Sequence, residues 1–213
     1  MKKLLVSVLA ICLLLSLSAC GATNTADGGE APSLHGSIDR TTNTYTNEFL
    51  GLTAKFPSNY NFSTDEEMAE LNKITADTLA NVNEAYREVI KNNQIIYEMY
   101  VSNNNGDSVN LNFENLSKVS LNIQNEEEYV NEAIKSVPSA LESIGYTDVN
   151  AEKTTATLGG QTHQAIRVSA KISQFSFHEL IVCIKVDNYV ANITFASFTE
   201  DTIDELASCF QAI

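Results

Sequence analysis

Two neighbouring stretches alternate cleanly between apolar and polar residues, and that period of two predicts a β-hairpin. Ile95, Tyr97, Met99 and Val101 point one way on the first strand. Val109, Leu111 and Phe113 form one face of the second, with Asn110, Asn112 and Glu114 on the other. Asn103 to Asp107 lies between and contains Gly106. One apolar and one polar face implies a sheet with one side in water, so Asn110, Asn112 and Glu114 are expected to be solvated or to offer a binding surface. Val119, Leu121 and Ile123 extend the pattern into a third strand.

The last third continues in the same manner. Residues from about Val149 to Thr157 lead into Gly159-Gly160, a strong hairpin turn signal. Gln161 to Ala170 follows, then a long strand from Phe175 to Val186, a turn at Asp187-Asn188 and a return over Tyr189 to Phe198.

Helical signals sit between the strands. Upstream, Phe49 to Phe56 reads as a short strand pair ending at Pro57. Ser63 with Glu66 fits a capping box, and Thr75 to Lys91 carries Leu79, Val82, Tyr86, Val89 and Ile90 near one face. Asn125 with Glu128 starts another helix, whose first turn holds Glu126, Glu127 and Glu128 where the helix dipole favours negative charge. Pro138 implies a kink or stop near Val137. A final helix from about Thr199 places Ile203, Leu206, Phe210 and Ile213 on one stripe. The predicted architecture is a single α+β domain, an antiparallel sheet with helices packed on one face.

The N-terminus follows a different rule. Lys2 and Lys3 precede an apolar run from Leu4 to Leu17, and small residues then lead to Cys20. The 16 residues from 4 to 19 fall short of the about 20 that a spanning helix needs, so an export signal is the better reading than a retained span. Leu17-Ser18-Ala19-Cys20, followed by Gly21, resembles the lipobox of bacterial lipoproteins. That resemblance implies diacylglyceryl attachment at the Cys20 sulfur, palmitate-type anchoring and cleavage before Cys20. The expected organisation is a signal peptide over residues 1–19, a flexible tether over 20–44 and the folded domain over 45–213. His35 falls in the tether and carries no expected role.

Charge narrows the partners. The full chain has a formal charge of −14, and losing Lys2 and Lys3 with the signal would take it to −16. Nucleic acid is excluded as a partner on that ground, because phosphate backbones are held by clustered Lys and Arg.

Several segments together are similar to a family of small lipoproteins of Gram-positive bacteria whose folded part is Mog1/PsbP-like. They are Asn47 to Leu52 leading to Phe56-Pro57, Asp65 to Asn72, Tyr97 to Tyr100, Leu158-Gly159-Gly160, Asn188-Tyr189 through Phe195, and Glu200 to Glu205. The resemblance implies a binding or assembly module on that fold. These are structural signatures, and no family site residue carries over.

Candidate chemistry is sparse. Cys183 and Cys209 are either two separate thiols or a disulfide closing a loop of about 27 residues, worth roughly 3 kcal/mol. His163 shares a strand face with Arg167 and is expected in solvent; His178 reads as a histidine at the sheet margin. No HExxH, GxSxG or phosphate-cradling glycine loop is present. No catalytic residue, cofactor site or metal site is therefore assigned, and the chain is read as a non-enzyme. The expected function is a membrane-anchored extracytoplasmic binding module, held by lipidated Cys20 and meeting an envelope protein partner. The rival readings are a solute-receptor subunit of a transporter and an envelope enzyme whose site forms only in the fold, gathering His178, a thiol and carboxylates.

Overall fold

The computed structural model describes residues 33–72, 95–119, 121–198 and 200–213. Cys20, the signal segment and the helix expected over Thr75 to Lys91 lie outside the described residues.

The molecule is a single α+β domain built on two antiparallel sheets. The smaller sheet holds β1 (Ser37–Asp39), β2 (Thr44–Asn47) and β3 (Leu52–Lys55), with the C-terminal β11 (Phe210–Ala212) on the far side of β3. The larger starts from β4 (Tyr60–Phe62), β5 (Ile95–Asn103) and β6 (Ser108–Asn115). It is completed by β7 (Thr147–Leu158), β8 (Gln161–Ile172), β9 (Phe175–Val186) and β10 (Tyr189–Phe198). Its strand order is β4-β5-β6-β10-β9-β8-β7, so β10 inserts between β6 and β9 and the predicted hairpins become neighbours in one seven-stranded sheet. Gly159 and Gly160 both have positive φ, as a type I′ turn between β7 and β8 requires.

Period-two alternation divides the large sheet between two cores. Met99, Val101, Leu111, Phe113, Val182, Ile193 and Phe195 face the small sheet. Ile166, Val168, Phe177, Ile181, Cys183 and Val190 face two helices, α2 (Glu126–Ala133) and α3 (Val137–Ser143). The central strands are thus buried on both sides. This overturns the wet face expected on β6: Asn110, Asn112 and Glu114 are 3%, 2% and 1% exposed. Helices also lie on both faces, because α4 (Ile203–Ala207) joins the core beneath the small sheet through Ile203 and Leu206.

Local chemistry explains the remaining departures. The capping box opening α1 (Asp65–Leu71) uses Thr64 and Glu67, one residue after the expected pair: the Glu67 N–H donates to Thr64 Oγ1 at 3.2 Å and the Thr64 N–H to Glu67 Oε2 at 3.0 Å. Ser63 is committed to the sheet, its N–H donating to the Tyr100 carbonyl at 2.9 Å. Among the described residues, the strand expected at Val119 to Ile123 is absent. Asn115 Oδ1 accepts from the Ser117 N–H at 3.0 Å and bends the chain into a 3₁₀ turn over Leu116–Lys118, after which Val119 and Ile123 are buried without a ladder. Asn125 caps α2 as the spacing predicts, accepting from the Glu128 N–H at 2.9 Å. Pro138 lies in the first turn of α3, where no intrahelical N–H bond is lost.

The last helix is shorter than its apolar stripe. It ends at Ala207, and the chain then extends as β11, with Phe210 paired to Ala54 and Ala212 to Leu52. Phe210 meets Phe56 and Phe195 edge-on at 6.0 and 5.6 Å, which fastens the C-terminal strand across both sheets. Such ring pairs contribute about 0.5–1.5 kcal/mol each beyond their buried area. Ile213, placed on the stripe by period alone, is 67% exposed.

The folded part also begins earlier than Tyr45. Leu34 is fully buried, β1 pairs with β2, and Gly36 lies so close to β2 that an added Cβ would stand 2.5 Å from the Thr46 carbonyl and 2.7 Å from the Tyr45 ring. Gly36→Ala is expected to lower the unfolding free energy by about 1–3 kcal/mol, as overpacking against backbone does; urea denaturation of the two proteins checks this.

Candidate functional site

Three buried or half-buried carboxylates organise the polar interior. Glu98 sits where the β5–β6 register shifts between Tyr97 and Met99, and it is 4% exposed. Its Oε1 accepts from the Gly36 N–H at 2.6 Å and from Tyr45 OH at 3.1 Å, while His35 Nδ1 lies 3.3 Å from Oε2. Asn47 Nδ2 donates to Tyr45 OH at 2.8 Å and to the Leu34 carbonyl at 2.9 Å. The hydrogen bond to Glu98 raises the His35 pKa, outweighing the lowering by burial. His35, given no role by its place in the sequence, is therefore part of the clasp that holds the first described residues to β5.

Glu126, at the start of α2, reaches the point where the β8–β9 ladder ends at Gln164 and Cys183. Its carboxylate accepts from the Gln164 N–H at 3.0 Å and the Lys185 N–H at 3.3 Å, and meets His163 Nδ1 at 2.8 Å. Burial pushes its pKa up, but the His163 contact and the two backbone donors hold it below the ordinary value. The His163 side chain is only 12% exposed, so the solvent role expected for it does not hold.

The third carboxylate belongs to a polar network on the helix side of β6 and β10. Tyr129 OH donates to Glu114 Oε2 at 2.6 Å, and Asn192 Nδ2 donates to Tyr129 OH at 2.9 Å and to Asn112 Oδ1 at 3.3 Å. Burial, then the nearby Glu114 charge, raises the Tyr129 pKa well above the usual tyrosine value. Among the described residues, Asn110 Oδ1 and Asn192 Oδ1 have no hydrogen-bond partner. On the same face Glu179 is 2% exposed, flanked by Val168 and Ala196, and burial pushes its pKa up to about 8.

The two thiols are unbridged. Cys183 is buried and Cys209 partly so, and burial raises the pKa of both, away from the thiolate a nucleophile needs. His178 does not join Cys183, since residues 178 and 183 of β9 project to opposite faces. Its Nδ1 lies 3.8 Å from Asp201. Among the described residues, no group of three His, Cys, Asp or Glu side chains could hold a metal ion.

Among the described residues, an open concavity lies on the other side of the sheet, between β7, β8, β9 and α4. Its volume is about 360 Å³, and it is lined by Thr154 to Thr157, Arg167, Leu180, Asp204, Ala207 and Ser208. That volume is within the range of small-molecule sites. Arg167 Nη2 bonds Asp201 Oδ2 at 2.5 Å, and Arg167 Nη1 stands 3.6 Å from Asp204 Oδ1. The cleft combines a cation, a carboxylate and hydroxyls over a floor of Leu180 and Ala207. Sequence reading missed it: Arg167 lies more than thirty positions before Asp201 and Asp204, and no local spacing joins it to them.

No protein-family model matches the chain, and no curated protein matches it either. Among solved structures, the chain is similar to LpqN of Mycobacterium tuberculosis, described as involved in cell envelope biogenesis. The TM-score is 0.39 at 10% sequence identity, covering 75% of this chain and 82% of LpqN. A likeness of that degree assigns no function. Among the described residues no helix is long and apolar enough to cross a membrane.

Two groups give the domain a pH dependence of the same sign. A histidine with a raised folded pKa contributes stability that is fully present below its unfolded value near 6.5 and is lost as pH rises through the folded value. His35→Gln should therefore reduce the loss of stability between about pH 6 and 8, read from urea midpoints across that range. A carboxyl raised from 4.5 to about 8 likewise favours the fold at low pH and costs stability as pH climbs toward 8. Glu179→Met should gain about 3 kcal/mol more over the parent at pH 8 than at pH 5; equal gains at both values would show that Glu179 does not titrate in that interval.

Proposed function

We propose that this chain is a lipid-anchored extracytoplasmic protein whose α+β domain is a non-catalytic binding module of the bacterial cell envelope. The observation that carries the reading is Leu17-Ser18-Ala19-Cys20 at the end of a basic and then apolar N-terminus. Two acyl chains on one residue give stable membrane attachment where a single chain gives only marginal binding. With Leu34 the first buried residue among those described, the roughly 13 residues after Cys20 reach at most about 45 Å, which keeps the domain close to the bilayer.

A binding role is supported by the cleft beside α4 and by thiols whose raised pKa values suit packing better than attack. The large antiparallel sheet with helices across it supports the Mog1/PsbP-like reading of the fold within the same proposal. A second reading, the solute-receptor subunit of a transporter, has the same cleft in its favour.

The test is metabolic labelling with palmitate of cells producing the parent and Cys20→Ser. The parent should take up label, partition into the detergent phase and have lost residues 1–19 by mass spectrometry. Cys20→Ser should take up none and retain them. Label in both proteins, or in neither, would overturn the anchoring.

A further inference from the structure

From the charge geometry of the cleft beside α4 we infer that it receives a small zwitterion, such as a free amino acid or dipeptide, with its carboxylate on Arg167 and its ammonium on Asp204. This inference rests on the binding role proposed above and names the ligand class.

The Arg167 guanidinium is held from one side only. Nη2 is committed to Asp201 Oδ2, whereas Nη1 stands 3.6 Å from Asp204 Oδ1, beyond a direct hydrogen bond, and the Asp204 side chain is 92% exposed. A donor and an acceptor of opposite charge thus face one cleft as a loose ion pair with no direct hydrogen bond between them. A ligand carboxylate on Nη1 and a ligand ammonium on Asp204 would each form a charge-assisted hydrogen bond, the stronger kind. Little is lost in exchange, because an exposed ion pair at such a separation contributes little.

The surroundings select against singly charged molecules. A chain of net charge −14 repels a bare anion. A bare cation would meet Arg167 beside Asp204. A molecule carrying both charges leaves the local balance unchanged. The hydroxyls of Thr154 and Ser208 supply further polar contacts, Leu180 offers an apolar floor, and a volume of about 360 Å³ suits an occupant of one or two residues.

The experiment is isothermal titration of the full chain in detergent with three probes: alanyl-alanine, N-acetyl-alanyl-alanine and alanyl-alanine amide. Alanyl-alanine should bind at one saturable site, with each capped form at least tenfold weaker. Asp204→Asn, a change at an exposed residue, should weaken alanyl-alanine to the level of its N-acetyl form while leaving the N-acetyl form unaffected. Arg167→Lys, which keeps a cation opposite Asp201, should weaken every probe that has a free carboxylate, with an unchanged melting temperature showing that the fold survives. The inference is overturned if no probe gives saturable heat, if the capped forms bind as tightly as alanyl-alanine, or if Asp204→Asn changes nothing. Palmitate uptake is read independently, so failure of the ligand class and failure of the anchored reading are separate results.

Discussion

A sheet whose central strands carry apolar residues on one face and amides and carboxylates among apolar residues on the other has to satisfy both faces once each is covered, and most of this structure answers that demand. The small sheet covers the apolar face through an aromatic cluster in which Phe56, Phe210 and Phe195 meet edge-on. The opposite face is covered as well, so its polar side chains cannot rely on water. Buried polar groups without partners are costly, and the Tyr129–Glu114–Asn192–Asn112 network is the local solution.

Carboxylates connect the layers. Glu98 ties the first described residues to the bulge in β5, and Glu126 ties α2 to the place where β8 and β9 part. Each occupies a spot where a sheet irregularity or a ladder end leaves backbone N–H groups in need of acceptors. The acidity of the chain is thus partly structural. Glu179 is the exception, a carboxyl embedded among apolar neighbours, and the only cause of its raised pKa is burial.

The cleft beside α4 differs from these interior sites because it is open. Its charged groups come from β8 and from the segment around α4, brought together by the packing of α4 under the small sheet. The Arg167–Asp201 pair positions the guanidinium and leaves its other edge toward Asp204. A binding role placed here leaves both hydrophobic cores undisturbed.

Period-two alternation, turn chemistry at Gly159-Gly160 and Asp187-Asn188, and the Asn125 cap made β5 to β10 and the start of α2 legible in the residues themselves, because those signals act within a few positions of the chain. The Cys20 motif is likewise wholly local and belongs to the sequence alone. Whether Asn110, Asn112 and Glu114 meet water, whether Phe210 continues a helix or pairs with β3, and whether Arg167 finds Asp204 depend on elements distant in sequence. A polar strand face looks the same in a one-sided and a two-sided sheet, and an apolar residue at helical spacing does not reveal that an open strand edge is waiting for it. Those choices were made by the tertiary structure, where burial on both faces and the pairing of leftover backbone groups outweigh local periodicity.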